Sequence, residues 1–399
     1  MSTRTVIVGG SVAGIRAATE LRRLGYQSPI VVLDSQAAVP YDRPPLSKGI
    51  LTGADNVEEI AFHPPEHYAS LDIEVRTSAT AMRLDTAARR VELTDGEALT
   101  ATHIVIASGA RARPFHADAS SGRIHTIREL ADAVELARAL ARAERVAVIG
   151  AGFIGAEVAS SARALGRSAV VIEAARKPFE ALLGSEVASL LAGLHHEAGT
   201  HLRCGTAVTR VQQLASGQRV HLADGTYEDA DVVVAGLGAV PAVGWLDGTG
   251  LVVDGSVRCD CVGRTAVDGI YAIGDVATWT DRTGAAHRHE HWTSAREQAG
   301  IVAEQITGTG CDTQAAPVPY VWSDQYGKRI QVLGRPGGAD FVKVVGHDPR
   351  RGSWLALYGR NAQLVAVAGC NAAARATRYR SQLVAGDVSF DEACAAAAG

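Results

Sequence analysis

The sequence predicts an α/β fold with two Rossmann-like dinucleotide-binding domains and a smaller α+β domain at the C-terminal end. Two observations lead to this prediction. A buried strand, a glycine-rich turn, a helix and a strand that ends in an acid begin near Gly9, and the same order begins again near Gly150, 141 residues later. Towards the end of the chain, short apolar runs alternate with Gly and Pro turns, which is typical of a meandering sheet.

The first βαβ motif starts with the β-branched run 6–8, which suits a buried parallel strand. A helix is predicted over 15–24 and a second strand over 30–33, directly before Asp34. Ser11 occupies the middle glycine position of the turn, and we interpret it as a tolerated variant because serine is small and can bond to a phosphate oxygen. The turn consists of Gly9, Gly10, Ser11, Val12, Ala13 and Gly14.

The second βαβ motif is the more regular one. Strand 146–149 precedes the turn, and a helix to about Leu165, strand 169–172 and Glu173 follow it. Glycine lets such a turn approach a pyrophosphate, whose charge is stabilised by the N–H groups that start the helix. The acid after the second strand accepts hydrogen bonds from ribose hydroxyls. This turn consists of Gly150, Ala151, Gly152, Phe153, Ile154 and Gly155.

Two such motifs predict two dinucleotides, and an enzyme with both usually holds a flavin in one and a nicotinamide in the other. A merely structural glycine turn is the alternative for each motif. Glu173 favours NADH, because a carboxylate bonds the 2′-hydroxyl and repels a 2′-phosphate. Arg176 and Lys177 are close enough in sequence to contact a phosphate, or else they are solvated loop charges.

The composition excludes several other classes of protein. With 39 Lys and Arg against 43 Asp and Glu, the net charge of −4 argues against nucleic-acid binding, which favours basic domains. No apolar stretch reaches the ~18 residues of a membrane-spanning helix. A strand is predicted within four residues of the N-terminus, which leaves no room for a signal peptide. We therefore expect a soluble, cytoplasmic protein.

The cysteines argue against disulfide chemistry. None of the six forms a CxxC pair, and the first of them, Cys204, follows both glycine turns. Cys259 and Cys261 have the wrong spacing for a redox pair, and we interpret them as packing residues on one face of a strand. A reduced flavin would then deliver electrons directly, and its natural acceptor is a one-electron carrier. The remaining cysteines are Cys311, Cys370 and Cys394.

Five segments of the chain form a recognisable set: residues 40–48 (PYDRPPLSK), 150–157, 274–275, 290–292 and 322–326 (WSDQY). This set resembles the FAD-dependent, NADH-using ferredoxin reductases of the putidaredoxin reductase and biphenyl dioxygenase ferredoxin reductase type. The resemblance covers roughly residues 4–380. It implies a glutathione-reductase-like arrangement, with an FAD-binding domain of residues 1–113 and 243–316, an NAD-binding domain of 114–242 and a C-terminal domain of 317–399.

The resemblance also implies which residues hold FAD and NAD. Residues 104–109 resemble the strand that closes the first domain of these reductases, and Asp275 matches a ribityl contact. Ser35 and Gln36 stand where relatives often have acids, so Asp34 is expected to substitute. The implied set is Gly9, Gly10, Ser11, Val12, Ala13, Gly14, Asp34, Ser35, Arg43, Pro44, Lys48, Ala81, Ala107, Ser108, Gly109, Arg128, Gly274, Asp275, Glu290, His291, Trp292 and Trp322, together with Gly150, Gly152, Phe153, Ile154, Gly155, Glu157, Glu173, Gly236 and Gly238.

Lys48 and Glu157 are implied as the catalytic pair. A buried lysine near a flavin is costly without a carboxylate partner, so the two side chains are expected to form an ion pair. Such a pair would set the electrostatics near the reactive N5 of the flavin. The alternative is two unrelated surface charges.

The implied activity is hydride transfer from NADH to FAD, followed by transfer of single electrons to a small, acidic [2Fe–2S] ferredoxin. That ferredoxin would serve a cytochrome P450 or a Rieske-type oxygenase. A rubredoxin reductase, a monodehydroascorbate-type reductase and an apoptosis-inducing-factor-like protein that signals through bound FAD and NADH are the alternatives. We expect a monomer or weak dimer. The candidate docking charges are Lys328, Arg329, Arg335, Arg375 and Arg378.

Two features of the second half of the chain complete the predictions. His287, His289 and His291 alternate, which on a strand would put three imidazoles on one face, and we expect family variation rather than a metal site. Beyond Pro317 and Pro319, strands are predicted over 330–333, 340–345, 354–358 and 364–368. A helix with Arg375, Arg378 and Arg380 follows, and the Ala-rich end is expected to fray.

Overall fold

The computed structural model describes residues 3–115, 122–281, 284–310 and 318–398. Cys311 and Pro317, and with Pro317 the predicted boundary of the last domain, therefore lie outside the described residues. The chain divides into two compact units. Unit 1 consists of Met1–Asp42, Ile60–Arg111 and Val240–Pro319. Unit 2 consists of Arg43–Glu59, Ala112–Ala239 and Tyr320–Gly399.

Unit 1 contains twelve complete strands and three α-helices within its described residues. With elements numbered in chain order, the strands are β1 Thr5–Val8, β2 Ile30–Leu33, β3 Ile73–Arg76, β4 Ala81–Asp85, β5 Arg90–Leu93, β6 Ala98–Thr100, β7 His103–Ile106, β18 Val252–Val253, β19 Ser256–Cys259, β20 Ile270–Ala272, β21 Ala277–Thr280 and β22 Ala286–His287. The helices are α1 Val12–Arg23, α3 Pro65–Ser70 and α7 Trp292–Thr307, and 3₁₀ turns occupy Gly244–Leu246 and Gly274–Val276.

A parallel sheet in the order β20-β7-β1-β2-β3 forms the centre of unit 1. Every residue of β1 and β2 is buried, which explains why both strands are continuous runs of mostly β-branched residues. Strand β20 comes late in the chain but pairs in parallel with β7, so the segment that follows it lies at the same sheet edge as the turn after β1. Helix α7 packs against α1, and two smaller sheets have the orders β4-β5-β6 and β18-β19-β21-β22.

Unit 2 contains the second βαβ motif and the C-terminal sheet. Its strands are β9 Ile124–His125, β10 Arg145–Ile149, β11 Ser168–Glu173, β12 His201–Cys204, β13 Val208–Gln213, β14 Gln218–Leu222, β15 Tyr227–Ala230, β16 Val232–Ala235, β23 Tyr320–Gln325, β24 Lys328–Gly334, β25 Phe341–Asp348, β26 Ser353–Arg360 and β27 Gln363–Cys370. Its helices are α2 Gly49–Thr52, α4 Leu130–Arg142, α5 Phe153–Ala164, α6 Glu180–Glu197, α8 Ala373–Thr377, α9 Arg380–Ala385 and α10 Phe390–Ala398, with a 3₁₀ turn at Pro44–Ser47. Strands β8 Ala110–Ala112 and β17 Ala239–Pro241 include residues of both units.

The parallel sheet of unit 2 has the order β12-β11-β10-β16-β9. Its central strands β10 and β16 are buried along nearly their whole length. A three-stranded antiparallel sheet, β13-β14-β15, follows β12 in the chain. The C-terminal residues form an antiparallel sheet in the order β23-β24-β27-β26-β25. The predicted fold class is therefore confirmed: two dinucleotide-binding folds with parallel sheets, and a C-terminal α+β domain.

Three local predictions were wrong. The helix that was to hold Arg375, Arg378 and Arg380 is divided into α8 and α9. The Ala-rich end does not fray but forms α10, in which Ala393 and Cys394 are buried at 1% and 5% exposure. Strand β19 ends at Cys259, so Cys261 does not share a strand face with it, although both pack on the core of unit 1.

No helix in the described part of the chain is both long enough and apolar enough to cross a membrane.

Candidate functional site

The first glycine turn connects β1 to α1 in unit 1. Gly9 has a φ of +121°, and a Cβ on it would lie 2.1 Å from the carbonyl oxygen of Ala107. A Cβ on Gly14 would lie 1.9 Å from the carbonyl oxygen of Gly9. Backbone packing thus requires glycine at the first and last positions of the pattern, because only three residues separate the end of β1 from the start of α1.

The middle position of the pattern has no such requirement. Ser11 is extended, with φ −92° and ψ −164°, and the equivalent Gly152 in unit 2 has φ −73° and ψ −179°. Any residue can adopt this conformation. The backbone therefore accounts for the serine, and the turn still presents the N–H groups of the first turn of α1 at the sheet edge.

Asp34 follows β2 and lies against the first turn. A Cβ on Gly10 would be 2.5 Å from Asp34 Oδ2, and Asp34 Oδ1 accepts a hydrogen bond from the backbone N–H of Gln36 at 3.0 Å. Ser35, the neighbouring residue, is exposed. Asp34 is thus the acid of this strand that lies beside the turn, in the place where a ribose hydroxyl is bound in such folds.

Two further segments of unit 1 approach the first turn. A Cβ on Gly274 would lie 3.2 Å from the Cβ of Ala13, so the 3₁₀ turn with Asp275 is close to the start of α1. The backbone N–H of Gly274 donates to Gln298 Oε1 at 2.7 Å. The segment after β7 contacts Gly9 through Ala107, and the hydroxyl of Ser108, before Gly109, donates to the carbonyl oxygen of Ala242 at 2.9 Å.

The start of α7 contains buried polar atoms that point to a polar ligand. His291 Nδ1 and Ser294 Oγ are buried and accept or donate no hydrogen bond among the described residues. Buried polar atoms nearly always have partners, so a cradle of this kind suits a group such as FAD. Burial lowers the pKa of His291 to about 4, against the opposing effect of the Asp275 carboxylate. Trp292 Nε1 donates to Asp42 Oδ1 at 2.7 Å, which fixes the first residue of α7.

The three histidines stack in a row, but not on one strand. Ring centroids of His287 and His289 are 6.0 Å apart, and those of His289 and His291 are 5.6 Å apart. Strand β22 ends at His287, so His289 and His291 lie beyond it and the three imidazoles do not share a strand face. His287 Nε2 lies 2.9 Å from Asp281 Oδ2. Among the residues that the structure describes, no group of three or more His, Cys, Asp or Glu side chains is arranged to hold a metal.

Two other predicted residues of unit 1 have different surroundings. Glu290 forms an ion pair with Arg288, whose guanidinium also donates to the carbonyl oxygen of Asp275 at 3.3 Å. Glu290 is therefore connected to the Asp275 segment through one side chain. Ala81 begins β4 and pairs with Leu93, in a different sheet from the turn.

The second glycine turn connects β10 to α5 in unit 2. A Cβ on Gly155 would lie 2.1 Å from the carbonyl oxygen of Gly150, and a Cβ on Gly150, with φ +98°, would lie 2.6 Å from the carbonyl oxygen of Gly236. Gly236 thus contacts the turn from the end of β16. Gly238 has φ +83° and open space around it, and its carbonyl oxygen accepts a hydrogen bond from the N–H of Arg113 at 2.9 Å.

The carboxylate of Glu173 reaches into the second turn. Its Oε2 accepts a hydrogen bond from the N–H of Ala151 at 2.8 Å, and its Oε1 accepts one from the N–H of Ala175 at 2.9 Å. Lys177 is directed elsewhere, since its Nζ donates to the hydroxyls of Ser185 and Ser189 at 2.7 and 2.9 Å. The turn and the acid therefore suit NADH, and Lys177 does not oppose the charge of Glu173.

The first two residues of α5 differ in exposure. The ring of Phe153 packs on that of Phe179, with centroids 4.5 Å apart, whereas Ile154 is 43% exposed. Phe153 therefore anchors the start of the helix, and Ile154 offers an apolar surface beside the turn.

Lys48 and Glu157 form the predicted ion pair within unit 2. Lys48 Nζ lies 2.8 Å from Glu157 Oε2 and also donates to the carbonyl oxygen of Pro44 at 3.0 Å. The Glu157 side chain is 4% exposed and that of Lys48 is 23% exposed. Two buried hydroxyls that sequence reasoning missed, those of Ser47 and Ser323, donate to the same carboxylate at 2.5 and 2.6 Å. Both lie within motifs that the resemblance singled out, yet nothing local marked them as ligands of Glu157.

Three predicted cofactor residues lie in other parts of unit 2. The Arg43 guanidinium donates to the carbonyl oxygen of Arg128 at 3.1 Å, which brings these two together. Trp322 lies on β23 and stacks on Tyr320, with ring centroids 5.9 Å apart.

Four of the five cysteines in the described chain have surroundings that raise the pKa of the thiol, namely Cys204, Cys259, Cys370 and Cys394. Cys204, Cys259, Cys261, Cys370 and Cys394 are all without a disulfide bond. Burial raises the pKa of Cys259 to about 12 and that of Cys370 to about 11. Thiol chemistry needs a thiolate, which these environments disfavour.

The candidate docking charges differ in how far they are neutralised. Arg329 forms an ion pair with Asp324 at 2.7 Å, and the side chain of Arg375 donates to the carbonyl oxygen of Gly346 at 3.4 Å. Arg378 is exposed. Arg329 thus offers a partner less net charge than the sequence implied.

Comparisons with known proteins agree with this geometry. Residues 3–299 match the model of the pyridine nucleotide-disulphide oxidoreductase family, and residues 320–398 match that of a reductase C-terminal domain. The chain is 35% identical over 369 residues to the ferredoxin–NAD(+) reductase component of the anthranilate 1,2-dioxygenase system of Burkholderia cepacia, covering 92% of this chain and 90% of that protein.

Two solved structures are similar over almost the whole chain. The ferredoxin reductase for the CYP199A2 system from Rhodopseudomonas palustris matches with a TM-score of 0.93 and 30% identity, over 99% of this chain and 100% of that one. The covalent putidaredoxin reductase–putidaredoxin complex matches with a TM-score of 0.90 and 28% identity, over 99% of both chains.

Proposed function

The chain belongs to the pyridine nucleotide-disulphide oxidoreductase family, and we propose that it is an FAD-dependent NADH:ferredoxin oxidoreductase. It passes single electrons to a [2Fe–2S] ferredoxin that serves a cytochrome P450 or a Rieske-type oxygenase. The observation that supports this most is the similarity to ferredoxin reductases over nearly the whole chain. In addition, each unit of this chain has a glycine turn with an acid beside it.

The cysteines support direct electron transfer rather than the disulfide chemistry that the family name includes. Reduction of a disulfide by a flavoenzyme passes through a thiolate. The raised pKa values of Cys259 and Cys370 oppose this route within the described chain. A one-electron carrier is then the acceptor that fits.

Unit 1 provides the residues that hold FAD. The N–H groups of its glycine turn bind the pyrophosphate, Asp34 binds the adenosine ribose, and Asp275 binds the ribityl chain. His291 and Trp292 complete the cradle at the start of α7. Bound FAD supplies the chemistry that connects a two-electron donor with one-electron acceptors, because a flavin accepts a hydride and releases electrons singly.

Unit 2 provides the residues that hold NADH. The N–H groups of the first turn of α5 would bind its pyrophosphate, and Glu173 would accept hydrogen bonds from its adenosine ribose. The negative charge of Glu173 disfavours the 2′-phosphate of NADPH. Positioning of the nicotinamide for hydride transfer would be the main catalytic contribution of these residues.

Lys48 and Glu157 contribute electrostatics. Glu157 holds the ammonium group of Lys48 in one place, and that positive charge would favour the reduced, more negative state of bound FAD. Over one cycle, one NADH and two oxidised ferredoxins give one NAD⁺, two reduced ferredoxins and one proton. No side chain of the protein changes its oxidation state.

The ferredoxin is recognised transiently. An acidic partner is attracted by exposed basic residues, which raises the rate of encounter more than the affinity. Arg378, which is exposed, is a better candidate than Arg329, whose charge Asp324 partly cancels. We also propose that the reaction takes place in the cytoplasm, where NADH is produced. The division of the chain into FAD-binding, NAD-binding and C-terminal domains remains part of the proposal.

Anaerobic mixing tests the proposal. Purified holoprotein is mixed with NADH, a [2Fe–2S] ferredoxin is added, and the absorbance of the flavin and of the ferredoxin is followed. Bleaching at about 450 nm followed by reduction of the ferredoxin is expected. Bleaching without ferredoxin reduction would contradict the proposed acceptor, and rubredoxin, a small radical and a long-lived FAD–NADH complex would then be examined.

Replacement of Lys48 tests its role. In Lys48→Ala we expect the rate of flavin reduction by NADH to fall about tenfold or more, while the affinity for NADH changes less. Stopped-flow measurement over a range of NADH concentrations separates the two quantities. Lys343→Ala, which removes an exposed lysine of the same unit, is the matched control and keeps the wild-type rate. An unchanged rate in Lys48→Ala would contradict the role.

A further inference from the structure

The carboxylate of Glu157 has more partners than the lysine that the sequence assigned to it. Its Oε2 accepts hydrogen bonds from Ser47 Oγ and Lys48 Nζ. Its Oε1 accepts one from Ser323 Oγ at 2.6 Å and a longer one, at 3.3 Å, from the backbone N–H of Asp324. Each oxygen is thus held by two donors, and Ser323 is the stronger of the two on Oε1 because its bond is much shorter.

A hydrogen bond from Gln325 sets the direction in which the Ser323 hydroxyl donates. Gln325 Nε2 donates to Ser323 Oγ at 3.0 Å, so the oxygen of this hydroxyl is engaged as an acceptor. The one proton of the hydroxyl is then left for Glu157. Gln325 is 1% exposed and Ser323 is 0% exposed, so water does not compete for either group.

The other oxygen is fixed in a similar way. Ser47, which donates to Oε2, precedes Lys48 directly, and its carbonyl oxygen accepts a hydrogen bond from Ser161 Oγ at 2.8 Å. The ion pair is therefore built on three separate segments of unit 2: the 3₁₀ turn at Pro44–Ser47, helix α5 and strand β23.

We propose that Ser323 is a positioning residue for the Lys48–Glu157 pair, and this inference rests on the proposed function. The hydroxyl of Ser323, oriented by Gln325, holds the Glu157 carboxylate at one rotation and offsets part of its negative charge. Lys48 is therefore held in one position, and less of its positive charge is cancelled by Glu157. Buried charges without enough hydrogen bonds are costly, so the loss of one short donor changes the whole pair.

Ser323→Ala has two expected consequences. Oε1 keeps only the long bond from the backbone, so the carboxylate can rotate and Lys48 can move with it, which slows flavin reduction by NADH about tenfold. The affinity for NADH stays within about twofold of wild type, since Ser323 has no role in binding the dinucleotide. In addition, the site becomes more negative, which disfavours the reduced flavin and lowers its midpoint potential.

The test measures three quantities on the holoprotein: the midpoint potential of the flavin, the rate of its reduction by NADH in stopped flow, and the dissociation constant of NADH. Ser256→Ala is the matched control, because Ser256 is also a buried serine on a strand and its hydroxyl bonds the hydroxyl of Thr278 at 2.7 Å. A comparable loss of stability is expected in both variants, but only Ser323→Ala moves the potential and the rate.

A double variant shows whether Ser323 acts through Glu157. In a Glu157→Gln background, Ser323→Ala is expected to have little further effect on the potential or the rate, because the charge that it positions is gone. Effects of the two substitutions that add fully would overturn the proposal, as would a wild-type potential and rate in Ser323→Ala itself. If Ser323→Ala does not fold, Gln325→Met removes only the group that orients the hydroxyl, and we expect a smaller shift in the same direction.

The outcome for the wild type separates this inference from the proposed function. A wild-type protein whose flavin NADH does not reduce contradicts the proposed function. A wild type that reduces a [2Fe–2S] ferredoxin, together with an unaffected Ser323→Ala, contradicts only the role of Ser323.

Discussion

Acidification is expected to destabilise the protein through one buried histidine of unit 2. His195 lies on α6, is 1% exposed, and its Nδ1 is 2.9 Å from the hydroxyl oxygen of Tyr326. Burial, and to a smaller degree the neighbouring His196, lowers the pKa of His195 from 6.5 to about 4. The folded protein therefore keeps this imidazole neutral at a pH at which the unfolded chain has already protonated it.

The sign and size of the effect follow from these two pKa values. Above pH 6.5 the imidazole is neutral in both states and adds no pH dependence. Between pH 6.5 and about 4 only the unfolded chain binds the proton, so the free energy of unfolding falls by about 1.4 kcal/mol per pH unit. The total loss is roughly 3 kcal/mol, a large share of the ~5–15 kcal/mol that stabilises an ordinary domain.

Urea unfolding at pH 7 and pH 5, followed by circular dichroism, measures this loss. His195→Asn keeps an acceptor for the Tyr326 hydroxyl but cannot be protonated. Between the two pH values we expect wild type to lose about 2 kcal/mol more than His195→Asn. His196→Asn, a change at the exposed neighbour on the same helix, is the control and should lose as much as wild type. Equal losses in wild type and His195→Asn would refute the reasoning.

Three further substitutions test the packing of unit 2. Gly155→Ala places a Cβ 2.1 Å from the carbonyl oxygen of Gly150. We expect this substitution to lower the free energy of unfolding by about 1–3 kcal/mol, measured by urea unfolding, and to weaken NADH binding, measured by NADH titration. Gly193→Ala, in the open interior of α6, is the matched change and should stabilise by about 0.5–1 kcal/mol. Phe390→Ala is expected to cost about 3 kcal/mol in the same urea assay, whereas a frayed C-terminal segment would show no change.

The glycine turns could be predicted from the sequence because their causes are local. Gly9 and Gly150 have positive φ, and Gly14 and Gly155 pack against the carbonyl oxygen of the residue that opens the same turn. These constraints act within six residues of chain, so a single stretch of sequence records them, whereas the contacts of Gly9 with Ala107 and of Gly150 with Gly236 come from distant segments. The departure at Ser11 is equally local, since its extended backbone has no need of glycine.

The surroundings of Glu157 could not be predicted in the same way. Ser47 and Ser323 come from segments 110 and 166 residues away from it, and they meet only because the 3₁₀ turn and β23 both pack beside α5. A serine within a recognisable motif says nothing about which carboxylate it bonds. The prediction that the C-terminal end frays was wrong for a related reason. An Ala-rich segment has a weak amphipathic pattern, and α10 is ordered because Phe390 and Cys394 pack against the rest of the domain.

The acid that suits unit 2 to NADH also acts against thiol chemistry. Cys204 pairs directly with Glu173 in the register of β11 and β12, at the end of the strands beside the glycine turn. Of the described cysteines it is the one at the nucleotide-binding edge. Burial raises its pKa, and the negative charge of Glu173 raises it further. Both effects disfavour a thiolate at this end of the strands, where we propose that Glu173 binds the ribose of NADH. The surroundings of Cys204 therefore agree with the proposal that electrons leave the flavin directly, without a thiol relay.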